Sequence, residues 1–328
     1  MGEQIRVRQN RPWQGAASER AYTENAIMAA TSGWRRCLRA FADWLEKERG
    51  LKESTITARI SGARRFLAAM KGPGGVKTLK GLGVVDVEDF FIEYAQDHGK
   101  SATRCMQATM RQLLRFAASR KWVRDDLADA VPSMRSYRQS SVVRGLSDEG
   151  VRTLVAANAK RSMRDHAIVL LLALYGVRRG QVCELGLEDI DWHQRTIYFG
   201  PHKNGKPVLH ELVPAAAAAL SEYLQHERPS DNTQAVFLRR YRPYLPLGPR
   251  AVSAAVRRQL LGLGLQCTPC GPHSLRHAFA TRLLHDGQPL KVIADLLGHR
   301  SLEAVAVYAK LDHPRLLQVA GEWPEEAL

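Results

Sequence analysis

From about Thr23 to Val131, apolar residues recur at three- and four-residue spacing and almost never alternate. That periodicity restricts the fold more than any other feature of the chain, because it is the signature of helices with one buried face. "WRRCLRAFADWLEKE" sets Trp34, Leu38, Phe41 and Leu45 on one stripe with Arg and Glu opposite. "ESTITARISGARRFLAAM" repeats the pattern, with Ser54 or Thr55 available as N-cap. The breaker-rich "KGPGGVKTLKGLG" precedes two more helical runs, near "VEDFFIEYAQ" and "SATRCMQATMRQLLRFAASRK". The expectation is a bundle of about four helices over residues 24–132, preceded by a polar, irregular arm over residues 1–23.

Periodicity then stops. "PSMRSYRQSSVVRG" holds one Pro, four Ser and three Arg without a repeat, and reads as a linker over residues 133–145. A second domain over residues 146–328 opens on "LSDEGVRTLVAA", with Ser147 as N-cap and Asp148 and Glu149 in the first turn. A helix apolar all round follows from Asp165 to Tyr175, then the turn "GVRRG". Short strands are expected at "RTIYFG" and "KPVLHELVP", joined by the turn "PHKNG", with "AVFL" as a third candidate. Helices return near 214–226, 249–261, 273–285 and 290–297, and again from Ser301. The expected fold class is therefore mainly α with a small antiparallel β-sheet in an α+β second domain.

Charge narrows the partner. The net charge is +15, and it is shared: residues 1–150 carry 26 Lys+Arg against 17 Asp+Glu, giving +9, and residues 151–328 carry 22 against 16, giving +6. A basic excess in both halves points to a polyanion touched by both domains. Of the 48 basic residues 36 are Arg, whose planar fork pairs bidentately with phosphate oxygens. A GC-rich genome explains the same bias equally well. The N-terminus has no apolar core that would make it a signal peptide, and the longest apolar run, "AIVLLLALYGV", is too short to span a bilayer. Five cysteines suit reduced thiols, so the expected location is cytoplasmic, with no membrane partner.

The chemistry concentrates near the C-terminus. "PHSLRHAFATRLLHDG" and "LLGHRSLEAVAVY" place His273, Arg276, His299 and Tyr308 within thirty-six residues. On a helix starting near His273, His273, Arg276, His277 and Ala280 share one face, while Leu275, Ala278 and Phe279 lie opposite. Gly298 is a helix stop, with His299 just beyond it and Ser301 as the next N-cap. Each residue alone has an ordinary explanation, as core tyrosine, dipole partner or solvated arginine. Their agreement with "YGVRRGQVCELGLEDID" and "PHKNGK" upstream does not.

This set resembles the tyrosine recombinase, or phage integrase, family. Arg178 stands at the arginine of the first box, with "LEDID" in register, and "HSLRHAFATRLL", "LLGHRSL" and Tyr308 match the second box without a gap. The resemblance is strong over residues 146–312, and the N-terminal bundle is similar to the SAM-like core-binding domain of these enzymes. It implies two domains clamping a DNA duplex, and a site made of Arg178, Lys203, His273, Arg276, His299 and Tyr308. Lys203, with Lys206 in reserve, is taken from the turn between the two strands. The implied activity is site-specific recombination or integration through a 3′-phosphotyrosine, needing neither metal, cofactor nor ATP. Tyr308 would be the nucleophile. Arg178 and Arg276 would clamp the non-bridging oxygens, and His299 would donate to one. His273 would act as base or donor, and Lys203 would protonate the leaving 5′ oxygen. The implied partners are double-stranded DNA, a homotetramer on paired sites, and accessory DNA-bending proteins. A replicon-dimer resolvase and an inactive DNA-binding accessory factor or repressor are the alternatives.

Two features stand apart from the family pattern. Gln181 occupies a position that is usually acidic, so reduced activity is expected, with Gln181→Glu raising turnover. "CTPCGPHSLRH" also spells Cys267, Cys270, His273 and His277 at a spacing that admits a structural zinc as a rival reading of the same helix.

Overall fold

The computed structural model describes residues 16–70, 74–134, 145–202, 205–268 and 270–299. The chain divides into two compact units, Met1–Tyr137 and Arg138–Leu328.

In the first unit the described helices are α1 (Ala16–Met28), α2 (Ser32–Lys47), α3 (Glu53–Ala69), the short α4 (Val76–Lys80), α5 (Val84–Asp97) and α6 (Lys100–Ser119), followed by a 3₁₀ turn at Asp125–Ala128. The stripe expected on α2 is its buried face: Trp34, Leu38, Phe41 and Leu45 all pack inward. They join Ile56, Ile60, Phe66, Leu113, Leu114 and Phe116 in one core. The bundle has more helices than the apolar spacing suggested, and α1 begins at Ala16, inside the segment read as an irregular arm. The reason is visible in its packing. Ile27 and Ala30 are buried, and so is Thr23, whose hydroxyl meets that of Thr57 at 2.7 Å. A helix anchored by so few apolar residues has no legible stripe. The linker segment and the helix expected from Ser301 lie outside the described residues.

The second unit is built on α8 (Met163–Tyr175), whose residues Ala167 through Ala173 are buried without a polar face. Before it comes α7 (Asp148–Ala159), where Ser147 Oγ accepts from the Gly150 N–H at 3.1 Å, the expected cap. After it come α9 (Arg179–Glu184) and a three-stranded antiparallel sheet: β1 (Ile190–Asp191), β2 (Thr196–Phe199) and β3 (Val208–Glu211), in that order. Ile197 pairs with Ile190 on one side and His210 on the other, and Phe199 with Val208. Ile197 and Phe199 point into the core on alternate positions, as half-buried strands should. The third strand is thus Ile190–Asp191 and not "AVFL". Val236, Phe237 and Leu238 are buried together, and that segment makes only isolated bridges, Gly186 to Ala235 and Leu238 to Pro246.

Four further helices complete the described part of this unit: α10 (Pro214–Glu222), extended by a wider turn at Tyr223–Glu227, α11 (Pro249–Gly262), α12 (Pro272–His285) and α13 (Leu290–Leu296). Helix α12 packs against α8, α7, α11 and α13. No helix among the described residues is long and apolar enough to cross a membrane.

Candidate active site

Helix α8 ends at Gly176, which adopts φ +58 as a left-handed C-cap. A side chain there would be strained, and its Cβ would lie 2.4 Å from Phe279 on α12. The turn that follows puts Arg178 at the N-cap of α9. On α12, Arg276 is 5% exposed, deeply buried for a guanidinium. Its Nη1 donates to the Gly176 carbonyl at 2.7 Å, and its Nη2 to the Leu297 carbonyl at 2.9 Å and to His299 Nε2. The two carbonyls are C-terminal ends of α8 and α13, where the helix dipole favours a cation. One side chain thereby fixes three segments of the chain around a single point.

His299 completes that point. Burial, Arg276 and Arg178, in that order, depress its pKa to about 4, so the imidazole is neutral at physiological pH. With Nε2 accepting from Arg276, the ring proton belongs on Nδ1, which is buried and has no hydrogen-bond partner among the described residues. His277, half-buried one position after Arg276, is likewise pushed down to about 4 by burial, His273 and Arg276. His273 is exposed at the start of α12, its ring 6.4 Å from that of His277. It opens onto a cleft of about 610 Å³ whose lining includes Arg179, Arg257, Arg258 and Cys270.

The β2–β3 turn approaches from the other side. Gly205 stands so close to Arg178 that a Cβ there would lie 2.6 Å from Arg178 Nη1 and 2.9 Å from the Gly298 carbonyl. The Lys206 N–H donates to that same carbonyl at 3.1 Å. At the near end of the turn, His202 Nδ1 donates to Glu184 at 3.0 Å, its ring seated where any side chain at Gly180 would collide.

Of the six residues singled out in the sequence, the structure thus gathers Arg178, Arg276 and His299, while His273 stands at the exposed start of α12 with its ring 6.4 Å from that of His277. Lys203 and Tyr308 lie outside the described residues. Sequence reasoning did not point to Gly205, to the His202–Glu184 pair, or to the close approach of Gly298 to the β2–β3 turn. Only "HKNG" gave any hint of them. The expected polar face of α12 also differs from a solvated one: of His273, Arg276, His277 and Ala280, His273 is exposed and His277 half-buried, but Arg276 and Ala280 are buried like Leu275 and Phe279 opposite them.

The zinc reading is not supported by this geometry. Cys267 and Cys270 do approach each other within hydrogen-bonding reach. No group of three or more His, Cys, Asp or Glu side chains among the described residues is arranged to hold a metal ion. His277 is turned into the Arg276 environment, where a second cation would be repelled.

The sequence pattern of the phage integrase family matches residues 144–315, more than half the chain. Tyrosine recombinase XerD of Mycobacterium tuberculosis is 30% identical over 88% of this chain and 97% of its own length. The chain belongs to the phage integrase family. It is thereby a tyrosine-type site-specific recombinase, as the second-box residues implied. A Sinorhizobium fredii protein named as an integrase/recombinase, y4rA, is 32% identical over 88% of this chain and 71% of its own. Among solved structures, a lambda integrase dimer bound to a COC′ core site superposes with a TM-score of 0.63 at 18% identity, covering 88% of this chain and 97% of that one. XerH bound to palindromic difH substrate gives 0.61 at 18%, covering 93% and 94%. At that identity the two structures speak for the fold: mainly helical, with a small antiparallel sheet.

Proposed function

We propose that this recombinase cleaves and rejoins double-stranded DNA through a 3′-phosphotyrosine at Tyr308, without metal or ATP. The observation that carries the proposal is the convergence of Arg178, Arg276 and His299 at the junction of α8, α9, α12 and α13. Two guanidinium groups and a neutral imidazole with its Nδ1–H directed away from Arg276 form a receptor for a tetrahedral anion.

In the forward step the Tyr308 oxygen bonds to phosphorus and the bond from phosphorus to the 5′ oxygen breaks. His273 assists removal of the phenolic proton, needed because a tyrosine hydroxyl has a pKa of about 10. Arg178 and Arg276 neutralise the non-bridging oxygens, the role divalent ions serve in many phosphoryl transfers, and His299 donates Nδ1–H to one of them. Lys203 gives its proton to the departing 5′ oxygen, with Lys206 in reserve. The phosphodiester energy stays in the protein–DNA ester, so attack by another 5′ hydroxyl reseals the strand with no nucleotide consumed.

DNA as the partner fits the basic excess of both halves and the DNA-bound state of the lambda integrase and XerH structures. The working assembly is a tetramer on paired sites, acting in the cytoplasm, helped by accessory DNA-bending proteins where the site demands them. The N-terminal bundle, extended by α1 to Ala16, serves as a core-binding domain and residues 146–328 as the catalytic domain. Whether the outcome is integration or resolution depends on the placement of the sites. An inactive repressor is disfavoured, because keeping a guanidinium buried costs free energy that DNA binding alone would not select for.

The test is incubation with candidate site DNA carrying a nick beside the scissile phosphate, in excess chelator. A denaturant-resistant, protease-sensitive protein–DNA adduct is expected from the wild type and none from Tyr308→Phe. Adduct formation that requires added divalent metal would refute the proposal.

A further inference from the structure

Gln181 lies on the first turn of α9 and is 2% exposed. Its Oε1 accepts the Arg178 backbone N–H at 3.0 Å, and its Nε2 donates to the Gly200 carbonyl, also at 3.0 Å. Gly200 directly follows β2 and begins the turn that returns, at Gly205, to touch the tip of Arg178. The main-chain root of Arg178 and its guanidinium tip are therefore both referenced to one turn, and the Gln181 side chain closes the loop.

The two ends of that side chain need opposite polarity. One partner is an N–H and requires an acceptor; the other is a carbonyl oxygen and requires a donor. A neutral amide supplies both. A carboxylate would satisfy Arg178 and set a negative oxygen against the Gly200 carbonyl in a buried place, where an unmatched polar contact is costly. The expectation that an acidic residue at this position would serve better is thus reversed by the hydrogen bonds this chain makes.

We infer that Gln181 is a positioning residue, whose amide aligns Arg178 with the scissile phosphate by tying it to Gly200. The inference rests on the reading of Arg178 as a phosphate-clamping group. It acts on transition-state charge neutralisation rather than on folding or DNA affinity, and this separates it from an ordinary packing role.

The experiment compares cleavage of two site DNAs, one with an ordinary scissile phosphate and one with a methylphosphonate there, which lacks the negative charge that Arg178 neutralises. Three variants are used: Arg178→Ala, Gln181→Met and Gln181→Glu. Removing an outer partner of a site group typically lowers activity about 10–100-fold, and a loss in that range is expected for both Gln181 variants on the ordinary phosphate. Their activity should recover towards wild type on the methylphosphonate, as Arg178→Ala recovers, with DNA affinity changed less than about twofold. Equal losses on both substrates, or Gln181→Glu cleaving the phosphate as fast as wild type, would overturn the inference while Arg178→Ala rescue left the clamp standing. If Arg178→Ala is neither slowed nor rescued, the clamp reading fails and the inference falls with it. Should Gln181→Met not fold, Gln181→Glu, which breaks only the Gly200 end, decides alone.

Discussion

Helices α8 and α12 pack against each other, and both are buried along most of their length, yet they bury opposite kinds of surface. Helix α8 hides seven consecutive residues from Ala167 to Ala173, all apolar. Helix α12 hides Leu275, Ala278 and Phe279 on one side, and Arg276 with half of His277 on the other. The first helix is explained by the hydrophobic effect alone, at about 1.5–3 kcal/mol for each large side chain withdrawn from water. The second is not, because a buried guanidinium opposes folding unless its donors are met. Arg276 is accommodated because α8 and α13 both end on carbonyls facing it. One helix of the pair stabilises; the other spends part of that stability on holding a buried cation.

That contrast can be broken by mutation. Arg276→Lys keeps the charge but loses the fork that spans Gly176 and Leu297. Cleavage should fall by about 10²–10³-fold, the scale for loss of one transition-state donor, with little change in DNA affinity. A Lys variant as active as wild type in single-turnover cleavage would mean that the buried geometry of α12 has no catalytic purpose. On the other helix, Leu171→Ala should lower stability by about 2–5 kcal/mol in denaturant unfolding and leave cleavage per folded molecule unchanged. A specific loss of cleavage there would erase the distinction between the two helices.

The smallest effect concerns pH. His277 and His299 have folded pKa values near 4, below the ordinary 6.5, so the native state stays neutral where the unfolded chain takes up protons. Their contribution to stability is therefore full above pH 6.5 and declines as pH falls towards about 4. Melting temperatures should drop across that window, and the drop should be shallower in His277→Gln. An equal drop in the variant would show that His277 does not report on the polar side of α12.

The same contrast explains what could be read in advance. The apolar stripes of α2 and α8, the Ser147 cap and the stop at Gly298 follow from local rules, and each was legible from neighbouring residues. His273, Arg276 and His299 drew notice by their clustering, but the choice of Arg178 and the role of each came from the resemblance to the family's boxes rather than from local rules. The start of α1 was not legible, since its anchor is a hydroxyl contact between Thr23 and Thr57, thirty-four residues apart. Nor was the use of Gln181, whose two partners, Arg178 and Gly200, meet only after the sheet has folded back over α9. Gly205 looked like an ordinary turn glycine, and its close approach to Arg178 exists only in three dimensions.

The most direct test is to map the covalent link itself. Wild-type protein trapped on nicked site DNA in chelator, digested and sequenced by mass spectrometry, should carry its nucleotide on Tyr308 through a 3′-phosphate. Attachment to a serine, to another tyrosine or through a 5′-phosphate would contradict the account.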